Sequence, residues 1–502
     1  MSHFYIDLAI ARCADDRGRI AREILGEYVP LEAEVAVTPS PVPFAKRKGL
    51  EYRKINEGQH WGSKWDCGWF HLKGRIPKQW AGEYVVARID LSGEILVLDA
   101  KGNAIMGLTN GSVFAPGYTK DLMHIAPKCK GGEKIELWCD ATASALFGLE
   151  RCLEPDWLEN KADLHGRRDA SVTAIRLCKF DYDKWQLWID LTVLEDLVKV
   201  LPDTTARRYQ IMRCVDKALT VYNLKGAKAA RAVLKAAMDL TSDPSAPQVT
   251  GVGHAHIDTA WLWPVSETIR KCARTFSSQI ALINKYPDYV FGASQAQLYA
   301  FTKEHYPKIY GNIKKAVAEG RWEVQGGMWV EADCNLISGE SMIRQFVHGM
   351  NFFKDEFGVE IKNLWLPDVF GYSGNLPQIL NGCGIGYFLT QKLSWNRYNK
   401  FPHNTFIWRG IDGSEVLTHF PPENTYNSGV MPGTLVRNES DNQERGLVNE
   451  ALCLFGMGDG GGGPKEEHIE RGLRLRDLNG VPRFRFGHAQ PVLEKMADYR
   501  ED

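Results

Sequence analysis

The chain has 502 residues, which at roughly 150 residues per domain suggests about three domains. Hydrophobic residues make up 44%, charged residues 25% and aromatic residues 11%; these globular values exclude a collagen, a coiled coil or a largely disordered chain. Lys and Arg number 61 against 62 Asp and Glu, and a net charge of -1 argues against nucleic acid or an anionic membrane as a partner.

No run of 18 uncharged apolar residues occurs, so no transmembrane helix is expected. The first residues carry Asp7 inside their only apolar stretch and lack a basic leader, which argues against a signal peptide. The 11 cysteines, Cys152 among them, are odd in number, scattered and never spaced C-x-x-C. That usage fits buried thiols in a reducing compartment, with the cytoplasm as the expected location.

Residues 1 to about 186 read as a β-sandwich. Glu83–Leu91, Glu94–Asp99 and Lys134–Trp138 are short alternating or β-branched runs, separated by turns such as Ser92-Gly93 and Gly131-Gly132. No catalytic motif stands out there. Residues 187–247 switch to helical spacing. Leu191, Leu194, Val198 and Leu201 form one apolar stripe, and Ile211, Val215, Leu219 and Tyr222 form another. A Ser/Asp/Pro-rich linker over Ser242–Pro247 closes this connector. From 248 to 502 strands and helices alternate. Val249–Gly253, Val290–Ala293, Trp322–Met328, Leu364–Leu366, Tyr387–Thr390 and Val416–His419 read as strands, with Ser338–Phe357 as a helix. Such alternation predicts an α/β domain with a parallel sheet, closed as a barrel or open.

Polar residues gather at the ends of these strands. His254, His256 and Asp258 follow the first one, and in an extended chain residues two apart share a face. An imidazole and a carboxylate so placed can chelate a borderline cation such as zinc. One of these histidines could equally be a satisfied loop residue. Glu331 and Asp333 follow Gly326-Gly327; either could be a ligand or a nucleophile, and an exposed acidic turn is the commoner outcome. Asp368 ends a third strand amid aromatics, where a helix cap or packing cluster is the alternative. His419 ends a fourth and fits a buried, hydrogen-bonded histidine. Gly456–Pro464 holds Asp459 among glycines; Pro464 and the lack of Ser or Thr after Lys465 exclude a phosphate loop.

Four segments in this order resemble glycoside hydrolase family 38, the class II α-mannosidases, and its cytosolic/vacuolar and bacterial branch in particular. They are GHAHIDTAWLWP, QGGMWVEADCN, LPDVFGYSGNLPQI and GMGDGGGGP. The likeness is dense over 249–502 and fainter before it. The resemblance implies a (β/α)7-barrel-like catalytic domain and a retaining α-mannosidase carrying one zinc ion per chain. It assigns His256, Asp258 and Asp333 as zinc ligands, with Asp333 also the nucleophile. It makes Asp459 the general acid/base with Asp368 as second choice, and puts Trp261, Asp368 and Tyr372 among the substrate-binding residues. The implied partner is an oligosaccharide with terminal α-mannose, and self-association stays open.

Family members supply a fourth zinc ligand from a downstream His-Asp pair, and no His-Asp dipeptide occurs in this sequence. The expectation is therefore a C-terminally truncated chain without the downstream helical and β-domains, with His419 or water completing the site. Two other readings remain: a different metal-dependent barrel hydrolase, and a non-catalytic carbohydrate-binding remnant.

Overall fold

The computed structural model describes residues 5–109, 118–144 and 170–501; Cys152 lies outside them. The first element of the described residues is a helix, Ile6–Glu23, where the sequence predicts only β-structure. Ile6, Ala9, Cys13 and Ile20 share its buried face, a helical spacing masked by the charged residues between them. This face packs on the helices Tyr182–Val200 and Ala206–Lys225.

A sandwich of two antiparallel sheets follows. One pairs Leu25–Pro30, Ala174–Phe180, Val85–Asp90 and Leu122–Ala126. The other orders Arg53–Ile55, Glu32–Thr38, Cys67–Arg75, Lys134–Thr142, Glu94–Leu98 and Ala104–Thr109. Alternate residues point inward, so Phe70 and Leu72 meet Ile95, Val97, Ile89 and Leu177 in one hydrophobic core. Three helices, the last Ala227–Met238, connect it to the second half.

There, five parallel strands form one sheet. Gln248–His254 lies between Glu450–Phe455 on one edge and both Phe291–Ala293 and Arg483–Phe486 on the other, with Trp322–Val324 outside Phe291–Ala293. A second sheet holds parallel Asn363–Leu366, Tyr387–Thr390 and Glu415–His419, edged by antiparallel Thr405–Arg409. Helices such as Val265–Lys285 and Gly339–Phe357 cover the strands. Side chains stitch the two sheets together. The amide of Leu452 donates to His419 Nε2 at 3.4 Å, and the amide of Gly326 donates to Asn363 Oδ1 at 3.2 Å. His419 is thus a fully buried structural residue. Its Nδ1 pairs with Thr405 Oγ1 at 2.9 Å, and burial pushes its pKa down to about 3. Both nitrogens are engaged, so it is not positioned to complete a metal site.

The sandwich and the α/β half share a buried ionic seam. Lys271 Nζ meets Glu94 Oε2 at 2.6 Å, and Arg270 bonds Glu267 at 3.0 Å and the carbonyl of Ala141 at 3.0 Å. Buried charges are tolerated here because each has an opposite partner.

Candidate metal and catalytic site

The site forms where the strands of both sheets end. The chain leaves the first strand at His254 and runs irregularly through His256 and Asp258. His254 turns into the core, accepting from Trp365 Nε1 at 3.1 Å, and burial pushes its pKa down to about 3. His256 points elsewhere. Its Nε2 lies 3.4 Å from Asp258 Oδ1 and 3.3 Å from Asp368 Oδ2, and its Nδ1 lies 3.1 Å from Glu331 Oε2. Burial opposes a charged His256, yet Glu331, Asp258 and Asp368 outweigh it and push its pKa well above the ordinary value.

Asp459 arrives from the glycine loop after Glu450–Phe455, with its own φ at 61°. Gly458 must be glycine: a Cβ there would sit 2.9 Å from His256 Cβ and 2.9 Å from Asn427 Oδ1. This close approach presses the Asp459 carboxylate onto the cluster. One ligating atom each from His256, Asp368 and Asp459 lie within 4.8 Å of one another.

The two carboxylates are held differently. Lys392 forms an ion pair with Asp368. Burial works against an ionised Asp368, but His256 and Lys392 outweigh it and hold its pKa below the usual carboxylate range. Asp459 takes hydrogen bonds from the Tyr426 hydroxyl and from Asn427 Nδ2. Burial raises its pKa, against the pull of His256 and Tyr426 and with help from Asp368 and Asp258. Two neighbouring carboxyl groups with pKa values driven apart is the arrangement expected of a base or nucleophile beside an acid.

The residues present fit a cation. Both ring nitrogens of His256 are buried without a well-aligned hydrogen-bond partner, and two carboxylates converge on its Nε2. One imidazole with several carboxylate oxygens is a donor set suited to zinc. On its other side, Glu331 accepts from Ser294 Oγ at 2.7 Å and stands by His256 Nδ1, where a carboxylate fixes a ligating ring.

Asp333 is not part of this group. It is exposed, and its carboxylate accepts the amides of Asn335 and Leu336 at 2.8 and 2.7 Å, capping its own turn. These bonds lower its pKa. Of the pair two residues apart it is Glu331 that reaches the cluster. The strand here is only Trp322–Val324, and Gly326 and Gly327, at φ 89° and 68°, swing the backbone, so two-residue alternation no longer governs. The Tyr372 hydroxyl donates to the carbonyl of Val369 at 2.7 Å and bonds Thr390, which pins the Asp368 loop. Trp261 stands three residues beyond Asp258, 47% exposed and edge-on to Trp263.

Sequence reasoning missed Lys392, Tyr426 and Asn427. They sit on short segments without a motif, and only folding brings them to Asp368 and Asp459.

The sandwich also reaches the site. Tyr118 Oη donates to the carbonyl of Gly463 at 2.9 Å, and Lys120 Nζ donates to that of Gly462 at 2.5 Å. Gln279 Nε2 and Thr275 Oγ1 grip Gly462 from the helix side. Burial, helped by Lys465, pushes the Lys120 pKa down to about 7. The loop carrying Asp459 is thus clamped from two domains.

Residues 246–500 match the glycosyl hydrolases family 38 N-terminal domain, and residues 29–170 match the alpha-mannosidase jelly roll domain. The chain belongs to glycosyl hydrolase family 38. It is 36% identical to alpha-mannosidase G of Dictyostelium discoideum, over 98% of this chain and 45% of that protein. It is 36% identical to human alpha-mannosidase 2C1, over 92% and 44%. It is 34% identical to alpha-mannosidase of Saccharomyces cerevisiae, over 89% and 41%. The chain therefore spans less than half the length of these relatives. No described helix is long and apolar enough to cross a membrane.

Proposed function

We propose that this chain carries the catalytic centre of a zinc-dependent, retaining α-mannosidase that removes terminal α-mannose from oligosaccharides. The reading rests on family membership and on one observation: Asp368 and Asp459 bring ligating atoms within 4.8 Å of each other and of His256. Carboxyl groups this close suit double displacement, since direct attack by water needs a separation of ~6.5–9.5 Å.

His256, Asp258 and Asp368 are the proposed metal ligands, so Asp368 takes the roles that resemblance gave to Asp333. Bound zinc would supply Lewis-acid polarisation of sugar hydroxyls and help orient the ring. Asp368, kept ionised by Lys392, attacks the anomeric carbon as the bond to the leaving oxygen breaks. Asp459, whose pKa burial raises, gives its proton to that oxygen. Water then attacks the mannosyl ester of Asp368 and passes a proton back to Asp459, which releases mannose with its configuration retained. Tyr426 and Asn427 fix Asp459, Glu331 fixes His256, and Trp261 offers an aromatic face to the sugar. The cytoplasm remains the proposed location.

Proton NMR of the hydrolysis of an aryl α-mannoside tests this reading. α-Mannose as the first-formed product is expected. β-Mannose would contradict double displacement, and sugar binding without any turnover would favour a carbohydrate-binding remnant.

A further inference from the structure

A cavity opens against Lys392, the ion-pair partner of Asp368. Its volume of about 410 Å³ is within the range of small-ligand clefts. Trp395, Phe370, Lys392, Asn396, Asn399 and Lys400 line it. Trp395 is 61% exposed and Phe370 72% exposed, and they stand edge to face with centroids 6.4 Å apart. Two large rings left open side by side at the mouth of a site expose apolar area that a ligand would cover.

Lys392 ties this platform to the reacting groups. Its ammonium lies 3.5 Å from the Trp395 ring centroid and 4.8 Å from that of Phe370, while it pairs with Asp368. One side chain therefore separates the indole from the proposed nucleophile. The segment bearing Trp395 is also anchored at its far end. Phe401 packs against Phe406 and Phe420 with centroids 5.2 and 5.1 Å apart. Asn396 Oδ1 accepts the amides of Tyr398 and Asn399 at 2.9 and 3.1 Å, so the tip is folded on itself. An anchored aromatic face rimmed by amide and ammonium donors suits a sugar ring, with its apolar C–H face on the indole and its hydroxyls on the rim.

We infer that the cleft walled by Trp395 and Phe370 is the seat of the leaving-group sugar, the ring to which the terminal mannose is attached. The inference rests on the mannosidase reading and deepens it. Mannose bound at His256 and Asp368 and a second ring on Trp395 would then flank Lys392, which touches both places.

Two substrates separate this claim from the reading beneath it. α-Mannosyl fluoride has a leaving group too small to enter the cleft, whereas an α-linked mannobiose must fill it. In Trp395→Ala, the ratio of kcat/KM for mannobiose to that for the fluoride should fall about tenfold. Trp395→Phe should restore most of the ratio. An unchanged ratio in Trp395→Ala overturns the cleft assignment and leaves the mannosidase reading intact. A wild-type protein that hydrolyses neither substrate overturns both.

Discussion

The jelly roll and the parallel α/β half both bury β-strands, but they dispose of buried polar groups differently. In the jelly roll, buried side-chain donors turn to nearby backbone: Trp61 Nε1 reaches the carbonyl of Leu91 at 2.8 Å, and Trp69 Nε1 that of Val42 at 2.8 Å. Unpaired buried atoms such as Trp80 Nε1 and Arg47 Nε fall on separate elements. In the parallel half, side chains such as His419 and Asn363 help join the two sheets. At their ends His256, Glu331, Asp368 and Asp459 crowd together, with His256 unsatisfied. Buried polar groups without partners are costly, so a cluster of them marks a place the fold keeps for a ligand. The contrast is not total, because Tyr118 and Lys120 extend the jelly roll's reach to the glycine loop.

The largest expected effect separates the two candidate carboxylates. Asp368→Ala should lower aryl α-mannoside turnover by at least about 10³-fold. Asp333→Ala should change it less than about threefold and cost about 1 kcal/mol of stability through the lost turn cap. Equal losses in the two variants would erase the distinction between an organised cluster and an exposed turn. Removing metal by chelation should abolish turnover, with zinc restoring it, and elemental analysis should find about one zinc per chain. Chelated protein that stays fully active would remove the ligand from the unsatisfied cluster.

Asp459→Asn should slow substrates with poor leaving groups by roughly 10²–10⁴-fold and activated aryl mannosides much less. Uniform slowing would assign the proton donor elsewhere. Lys120→Met tests the reach of the jelly roll: kcat should fall about tenfold with KM nearly unchanged, through a displaced Asp459 loop. Lys120→Arg should recover part of the loss. An unaltered kcat in the Met variant would make the clamp purely structural.

The smallest effect concerns Glu423, a buried carboxyl away from the cluster, which accepts from Asn438 Nδ2 at 3.4 Å. Burial raises its pKa to about 7. A carboxyl whose folded pKa exceeds its unfolded value loses stability as pH rises through the interval between them, here about 4.5 to 7, by on the order of 3 kcal/mol. Thermal melts of Glu423→Gln should therefore depend less on pH across that interval and lie above wild type at pH ~8. Parallel pH profiles for the two proteins would show that Glu423 ionises normally.

Much of this architecture was legible in the sequence. Strand alternation announced the sandwich, and polar residues after Gly253 announced His256 and Asp258. The N-terminal helix was hidden because its buried stripe, Ile6, Ala9, Cys13 and Ile20, is sparse and interrupted by charges. Asp333, the residue offered by the resemblance, stands on an exposed turn, because positive-φ glycines end the two-residue alternation after Val324 and leave Glu331 facing the cluster. Asp368 was visible as a strand-end carboxylate, but its neighbours Lys392, Tyr426 and Asn427 come from other segments. Lys392 meets Asp368 across 24 residues of chain and Tyr426 meets Asp459 across 33, a property of packing and not of spacing.

The most direct test is covalent. Incubation with an activated fluorinated mannosyl donor, whose ester with the enzyme turns over slowly, should leave one mannosyl adduct. Peptide mapping should find it on Asp368. An adduct on Asp333, or inactivation without any adduct, would contradict the assignment of the nucleophile to this cluster.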